Sequence, residues 1–339
     1  MGSCSLWKNR LFILIFFFLL ISVLLCGGAG YYLLSPGGKK SHDRMFVVRE
    51  GMTLRDVADK LASENIITRR QIFLICARLL GYGRHIKAGE YRLNLTMPPL
   101  VILDMLNRGE IVTYQVTIPE GFTRKQIALL LEQKGLVDRN EFLKLTGDPG
   151  VARGYGLSAP DLEGYLYPDT YRFSRGLSTK SVIDVLVQRF REVIRPYRKR
   201  IKETGMTVEQ VVILASIVEK ETGRVNERPV IASVFLNRLR KGRRLESDPT
   251  VIYGLKNFDG NLTRMDLRTP SPYNTYLIHG LPPGAIANPG KEAIRAVLYP
   301  ADTAYLYFVS KNDGSHCFSE TLSAHNRAVR FYQKRRRSR

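Results

Sequence analysis

Cysteine is scarce and acidic residues are outnumbered. The 339 residues include 4 cysteines, and no CxxC pair is present, which removes the usual thiolate zinc site. Cys4 and Cys26 fall in the N-terminal segment, leaving Cys76 and Cys317, and nothing in the sequence supports a disulfide between those two. Against 52 Lys+Arg stand 31 Asp+Glu, a formal charge of +21, which asks for an anionic partner such as nucleic acid, phospholipid headgroups or an acidic polymer. No RNA-binding aromatic signature or zinc-finger spacing accompanies that charge. The basic runs RPYRKRIK (195–202) and KRRRSR (334–339) therefore read as solvated faces and a tail, and no nucleic-acid partner is expected. A shortage of apolar residues, the mark of a disordered chain, is also missing, because 44% of residues are hydrophobic and 10% aromatic.

One long, strongly apolar stretch is free of charge. LFILIFFFLLISVLLCGGAGYYLL (11–34) as a helix reaches roughly 36 Å, enough to cross a bilayer. A transmembrane helix is expected, and the competing reading is a cleaved signal peptide ending near Gly27, Gly28 and Ala29. Acylation at Cys26 fits less well, since Leu25 stands where a small residue is wanted. Orientation stays open on charge alone: Lys8 and Arg10 precede the span, while Lys39, Lys40 and Arg44 follow it. Residues 1–10 are too few to fold, so function lies on the C-terminal side.

SPGGKKSHD (35–43) reads as a linker. Beyond it, VREGMTLRDVADKLASENII (48–67) and IPEGFTRKQIALLLEQKGLV (118–137) form a weak repeat, each pairing a strand with a helix capped by Thr53 or Thr123. Between them IKAGEYRL reads as a strand and PPLVILDMLNRG as a helix closed by Gly109. The first unit resembles a LysM-like module, the type that docks N-acetylglucosamine polymers, and a plain packing module fits the same residues. Further on, SVIDVLVQRFREVI (181–194) has helical spacing, RLESDPTVIYGL (244–255) reads as loop-rich, and YLYFV and HCFS flank a turn at NDGS as a hairpin before a last helix from about Ser323.

The stretch ILASIVEKET (213–222) places acids at the end of an apolar helix that begins after Thr207, where Gln210 completes a capping box. At 100° per residue Glu219 lies within roughly 20° of Val208 and Val212, on the apolar face, and Glu221 about 200° further round, towards solvent. A carboxyl on an apolar face has its pKa raised by desolvation and can hold a proton near neutrality, as a general acid must. The plain alternative is a helix-end glutamate paired with Arg228 or Arg238. Downstream, SDPTVIYG and PSPYNTYLIHGLPPGAIANPG mix Pro270, Pro272, Pro282, Pro283 and Pro289 with Asn, Tyr, Ser and Thr, the chemistry of a rigid loop that lines a cleft.

SIVEKET, SVFLNRLRKG, LESDPTVIYG, TPSPYNTY, GLPPGAIANPG, AYLYFV and the AHN of SAHNRAV, in that order, resemble the YceG-like endolytic murein transglycosylases, single-pass inner-membrane proteins of bacteria. The resemblance implies cleavage of the β-1,4 bond between N-acetylmuramic acid and N-acetylglucosamine in nascent strands without water, leaving a 1,6-anhydro end and terminating elongation. It implies Glu219 as the catalytic acid, no role stated for Glu221, and no metal or cofactor. Implied partners are peptidoglycan strands, the inner membrane and peptidoglycan synthases, with the C-terminal part in the periplasm. Tyr253, Tyr273, Asn274 and Tyr276 are expected to bind sugar, from residue type and loop position, and Asp248 before Pro249 to make a turn or cap.

The expected fold is α+β: a head at 1–10, a transmembrane helix at 11–34, a linker at 35–44, a small LysM-like α+β subdomain at 45–110, and a larger α+β catalytic domain at 111–339 with a basic tail. A non-catalytic glycan-binding scaffold of the envelope is the rival reading. A membrane-tethered nucleic-acid binder rests on charge alone.

Overall fold

The computed structural model describes residues 3–36, 42–82 and 86–334. Residues 37–41 of the expected linker and 335–339 of the basic tail lie outside the described residues. The chain divides into two compact units, Met1–Tyr114 with Phe173–Ser178, and Gln115–Arg172 with Thr179–Arg339.

The first unit begins with α1 (Ser3–Leu34), whose stretch Arg10–Leu34 is long and apolar enough to cross a membrane. Then follow β1 (Asp43–Val48), α2 (Leu54–Ser63), α3 (Arg70–Leu79), β2 (Gly89–Asn94) and α4 (Pro99–Arg108). β1 and β2 pair antiparallel from Asp43 opposite Asn94 to Val48 opposite Gly89. That register turns Phe46, Val48, Tyr91 and Leu93 inward onto Val57, Leu61, Phe73 and Ile102. Thr53 caps α2 and Gly109 ends α4, in the left-handed region, as the sequence predicts, and the structure adds Asp56 as the second half of a capping box at Thr53. α3 has no counterpart in the sequence reading, because its start at Arg69 carries no side-chain cap.

In the second unit the chain runs through β3 (Tyr114–Thr117), α5 (Arg124–Gln133), α6 (Arg139–Thr146), α7 (Pro149–Gly154), β4 (Thr170–Phe173), α8 (Thr179–Ile194) and α9 (Arg198–Thr204). Next come α10 (Val208–Glu221), α11 (Arg228–Arg240), α12 (Asp248–Gly254), α13 (Lys291–Leu298), β5 (Tyr307–Ser310), β6 (His316–Ser319) and α14 (Leu322–Val329). β3 pairs with β4, and β5 with β6 as the expected hairpin. Cys76 and Cys317 are free thiols.

Two expectations are corrected here. The loop-rich region holds a helix, α12, which Pro249 opens from its first turn, where a missing N–H costs nothing. And α10 has no solvent face along its middle: every residue from Val211 to Val218 is buried, because α11, α12 and α13 all pack against it. A helix apolar all round is a central helix.

Gly164 shows how tightly this core is closed. It sits at φ +90, and a Cβ there would meet Val212 of α10 and Ala285, each at 2.6 Å. Gly164→Ala is expected to cost about 2–4 kcal/mol through left-handed strain and overpacking. A fall in the thermal unfolding midpoint of the full chain measures it.

Candidate active site

The last turn of α10 carries both acids, and the structure gives them opposite surroundings. Glu219 points to the side where α11 begins. Its Oε1 accepts from Nη2 of Arg228 at 2.6 Å and its Oε2 from the Gly290 N–H at 3.0 Å. The two side chains are 5% and 6% exposed. Arg228 also reaches Glu120 at 3.4 Å. A Cβ at Gly290 would meet the carboxylate of the half-exposed Glu120 side chain, which would have to swing aside. Burial pushes the Glu219 carboxyl above its ordinary range, while the Gly290 N–H and the Arg228 guanidinium pull it back. Glu219 is thus a walled-in ion pair, the plain alternative weighed from the sequence, with Arg228 as its partner.

Glu221 lies on the other side of the helix and opens into a cavity of about 400 Å³ that Asp248, Tyr276, Arg238, Tyr307 and His325 also line. The outward direction expected for Glu221 is corrected accordingly: the side chain is half-buried and faces a walled space. The reason is the packing of α11 and α12 around α10, which helical phase alone does not contain. Ser247 Oγ donates to Glu221 at 2.5 Å. Burial pushes the Glu221 carboxyl up to about 7; the Asp248 charge works in the same direction and the Ser247 hydroxyl against it. Near neutral pH this carboxyl is close to half protonated.

The wall opposite Glu221 is built from loops held by named bonds. Arg238 donates from Nη1 to the Leu245 carbonyl at 3.0 Å and Glu246 at 2.8 Å, and from Nε to the Leu306 carbonyl at 2.7 Å. Glu246 sits at φ +53, a strained setting for a residue with a Cβ, immediately before Ser247. Thr275 Oγ1 accepts from the Ser247 N–H at 3.0 Å and bonds Thr250 Oγ1 at 2.8 Å, which ties TPSPYNTY to the start of α12. Tyr276 donates its hydroxyl to Asp248 at 2.6 Å. The Asp248 side chain therefore lines the cavity, and the N-cap position of α12 is held by Ser247, whose side chain makes no capping bond. Asn274 is also corrected. It is fully buried, its amide donates to the carbonyls of Leu267 and Thr269, and its oxygen accepts from the Tyr276 N–H, so it shapes the loop and has no face for a sugar.

Tyr253 and Tyr273 line a second cavity of about 590 Å³ with Glu163, Asp161, Arg124 and Lys220. Their rings are 4.9 Å apart. Glu163 is 1% exposed and accepts from the Arg124 N–H, Asn288 Nδ2 and the Tyr253 hydroxyl. Burial pushes its carboxyl up to about 8. The sequence reading passed over Glu163; the signal was an acid between Leu162 and Gly164 in an aromatic run. α12 serves both cavities, Asp248 lining the first and Tyr253 the second. Among the described residues no three His, Cys, Asp or Glu side chains are grouped as a metal ion would need.

Comparison with known proteins places this geometry in a family. The YceG-like family matches residues 46–331. A Bacillus subtilis (strain 168) protein named endolytic murein transglycosylase is 31% identical over 317 residues, 88% of each chain. A Streptococcus pneumoniae serotype 2 (strain D39) protein of the same name is 29% identical over 314 residues, which is 83% of this chain but 57% of that longer protein. The crystal structure of a YceG-like protein from Listeria monocytogenes aligns with a TM-score of 0.58 at 34% identity, covering 85% of this chain and 100% of that one. With the family match running across most of its length, this chain belongs to the YceG-like family.

Proposed function

We propose that the chain is an endolytic murein transglycosylase, a lytic enzyme of peptidoglycan, with Glu221 as its single acid and base. The names of the similar Bacillus and Streptococcus proteins support the activity. The observation that carries the residue is the half-buried Glu221 carboxyl, raised to about 7, in a walled cavity large enough for sugar. Glu219 lines neither cavity and is neutralised by Arg228.

Protonated Glu221 gives its proton to the glycosidic oxygen as the bond from C1 of N-acetylmuramic acid breaks. The carboxylate left behind takes the proton of the C6 hydroxyl, whose oxygen closes on C1. The product is a 1,6-anhydro ring, no water is consumed, and Glu221 ends protonated as it began. Ser247 orients the carboxyl through its hydrogen bond. Asp248, held by Tyr276, raises the proton affinity of Glu221 from the same wall. Usual glycosidases work with two carboxylates, and Asp248 offers a second one for direct hydrolysis; the products separate the routes, because hydrolysed ends carry one more water.

Around this centre the remaining parts take their places. Tyr253, Tyr273 and Tyr276 stack on or bond the sugars. The β1-α2-α3-β2 arrangement of the first unit serves as a LysM-like glycan-docking module. α1 is an uncleaved inner-membrane anchor that leaves the chain after it in the periplasm, near the synthases whose nascent strands are cut.

Digestion of purified peptidoglycan by the full chain in detergent, followed by mass spectrometry, tests the reading. The wild type is expected to release anhydro-ended strands, and Glu221→Gln to lower the rate by about 10²–10⁴-fold. Glu219→Gln is expected to keep activity while folded but to lose about 3 kcal/mol of stability by leaving Arg228 poorly paired. A dead, stable Glu219→Gln with an active Glu221→Gln reverses the assignment. The rate is expected to fall about tenfold per pH unit as pH rises past the Glu221 pKa, since only the protonated acid starts the reaction. Tyr273→Ala is expected to raise KM about 3–10-fold with little change in kcat.

A further inference from the structure

We infer that His325 binds the glycan in the Glu221 cavity, as a neutral imidazole that donates its Nε2–H to an acceptor oxygen of the sugar. The inference rests on the cavity being the active site, and names a residue of its far wall with a defined tautomer.

His325 comes from α14, in the AHN segment near the end of the chain, and lines the same cavity as Glu221. Its ring stacks on Tyr307, centroids 5.2 Å apart and planes at 25°. Tyr307 is itself pinned: its hydroxyl accepts from Arg243 at 2.6 Å, and the Arg238 guanidinium lies 5.2 Å from its ring. With the ring orientation set in this way, Nδ1 is shut in and has no hydrogen-bond partner.

A proton on Nδ1 would be a buried N–H with nothing to accept it, so the stable neutral form carries its proton on Nε2. Nε2 is then the ring nitrogen left to meet a ligand. The charged and titratable groups of the same cavity come from each element around it: Glu221 of α10, Arg238 of α11, Glu246 of the following loop, Asp248 of α12, Tyr276 and Tyr307. Burial and the Arg238 charge hold the imidazole below its ordinary range, with Glu246 opposing. His325 therefore stays neutral where Glu221 is half protonated and does not compete for the catalytic proton. A glycan of N-acetylated sugars offers acetamido carbonyls and hydroxyl oxygens as acceptors, and a neutral N–H suits both.

Two variants separate the donor from the ring. His325→Phe keeps an aromatic face for Tyr307 without an N–H, and His325→Gln keeps an N–H donor without the ring. Full chain in detergent, digesting peptidoglycan strands, is expected to show kcat/KM about tenfold lower for the Phe variant and largely recovered in the Gln variant. The loss above the Glu221 pKa is expected to keep its position in both. De-N-acetylated strands identify the acceptor: the gap between wild type and His325→Phe closes on them if it is the acetamido carbonyl and persists if it is a hydroxyl. A Phe variant within twofold of wild type, or a Gln variant as impaired as Phe, overturns the inference. ¹⁵N spectra of histidine-labelled wild type, with His325 assigned by difference against His325→Gln, give a readout independent of any variant's activity. The Nε2–H tautomer is expected, and an Nδ1–H tautomer overturns it. Failure of the active-site reading shows separately, as full activity in Glu221→Gln.

Discussion

Everything in the second unit turns on the burial of α10. A helix enclosed by α11, α12 and α13, with every residue from Val211 to Val218 removed from water, has no solvent face along its middle, and both acids of its last turn lie against protein. Acids at its end must be satisfied by protein or hold a proton. The two at the C-terminal turn take different solutions because helical geometry sends them to different neighbours.

On one side the solution is structural. Arg228, in the first turn of α11, supplies the countercharge for Glu219, and the Gly290 N–H just before α13 supplies a second bond. The end of α10, the start of α11 and the distant segment before α13 meet at one carboxylate. A buried pair of this kind is a weak source of net stability and a strong penalty when broken, so it specifies how the three segments register. On the other side the packing is incomplete, and the gap is the cavity. There burial, helped by the like charge on Asp248 and opposed by the Ser247 hydroxyl, pushes the Glu221 carboxyl up to about 7, which suits the acid role proposed for it.

The loops that complete the cavity are rigid for identifiable reasons. Thr275 bonds the start of α12, Asn274 spends its amide on two carbonyls of its own loop, and Arg238 gathers the turn that holds Glu246 at φ +53. That strained backbone stands immediately before Ser247, whose hydroxyl bonds the Glu221 carboxyl. Glu163, buried with three donors around it, plays a comparable part beside the second cavity by holding Asn288, Tyr253 and the N-terminus of α5 together.

Local physics made much of this legible from the residues alone. The uncharged run at 11–34, the caps at Thr53 and Thr123, the capping box at Thr207, the Gly109 stop and the NDGS hairpin all depend on neighbours within a few positions, and each is seen in the fold. The ordered motifs also identified the family, and periodicity put an acid of α10 on the apolar side. What periodicity could not supply was the number of sides on which α10 is covered. Only the tertiary structure decided that Glu219 would meet a guanidinium, that Glu221 would meet a cavity, and that Asn274 would serve its loop while Tyr276 and His325 came to face the same space. The reason is physical: a carboxyl's proton affinity is set by the solvent and charges around it, and those arrive from segments far along the chain.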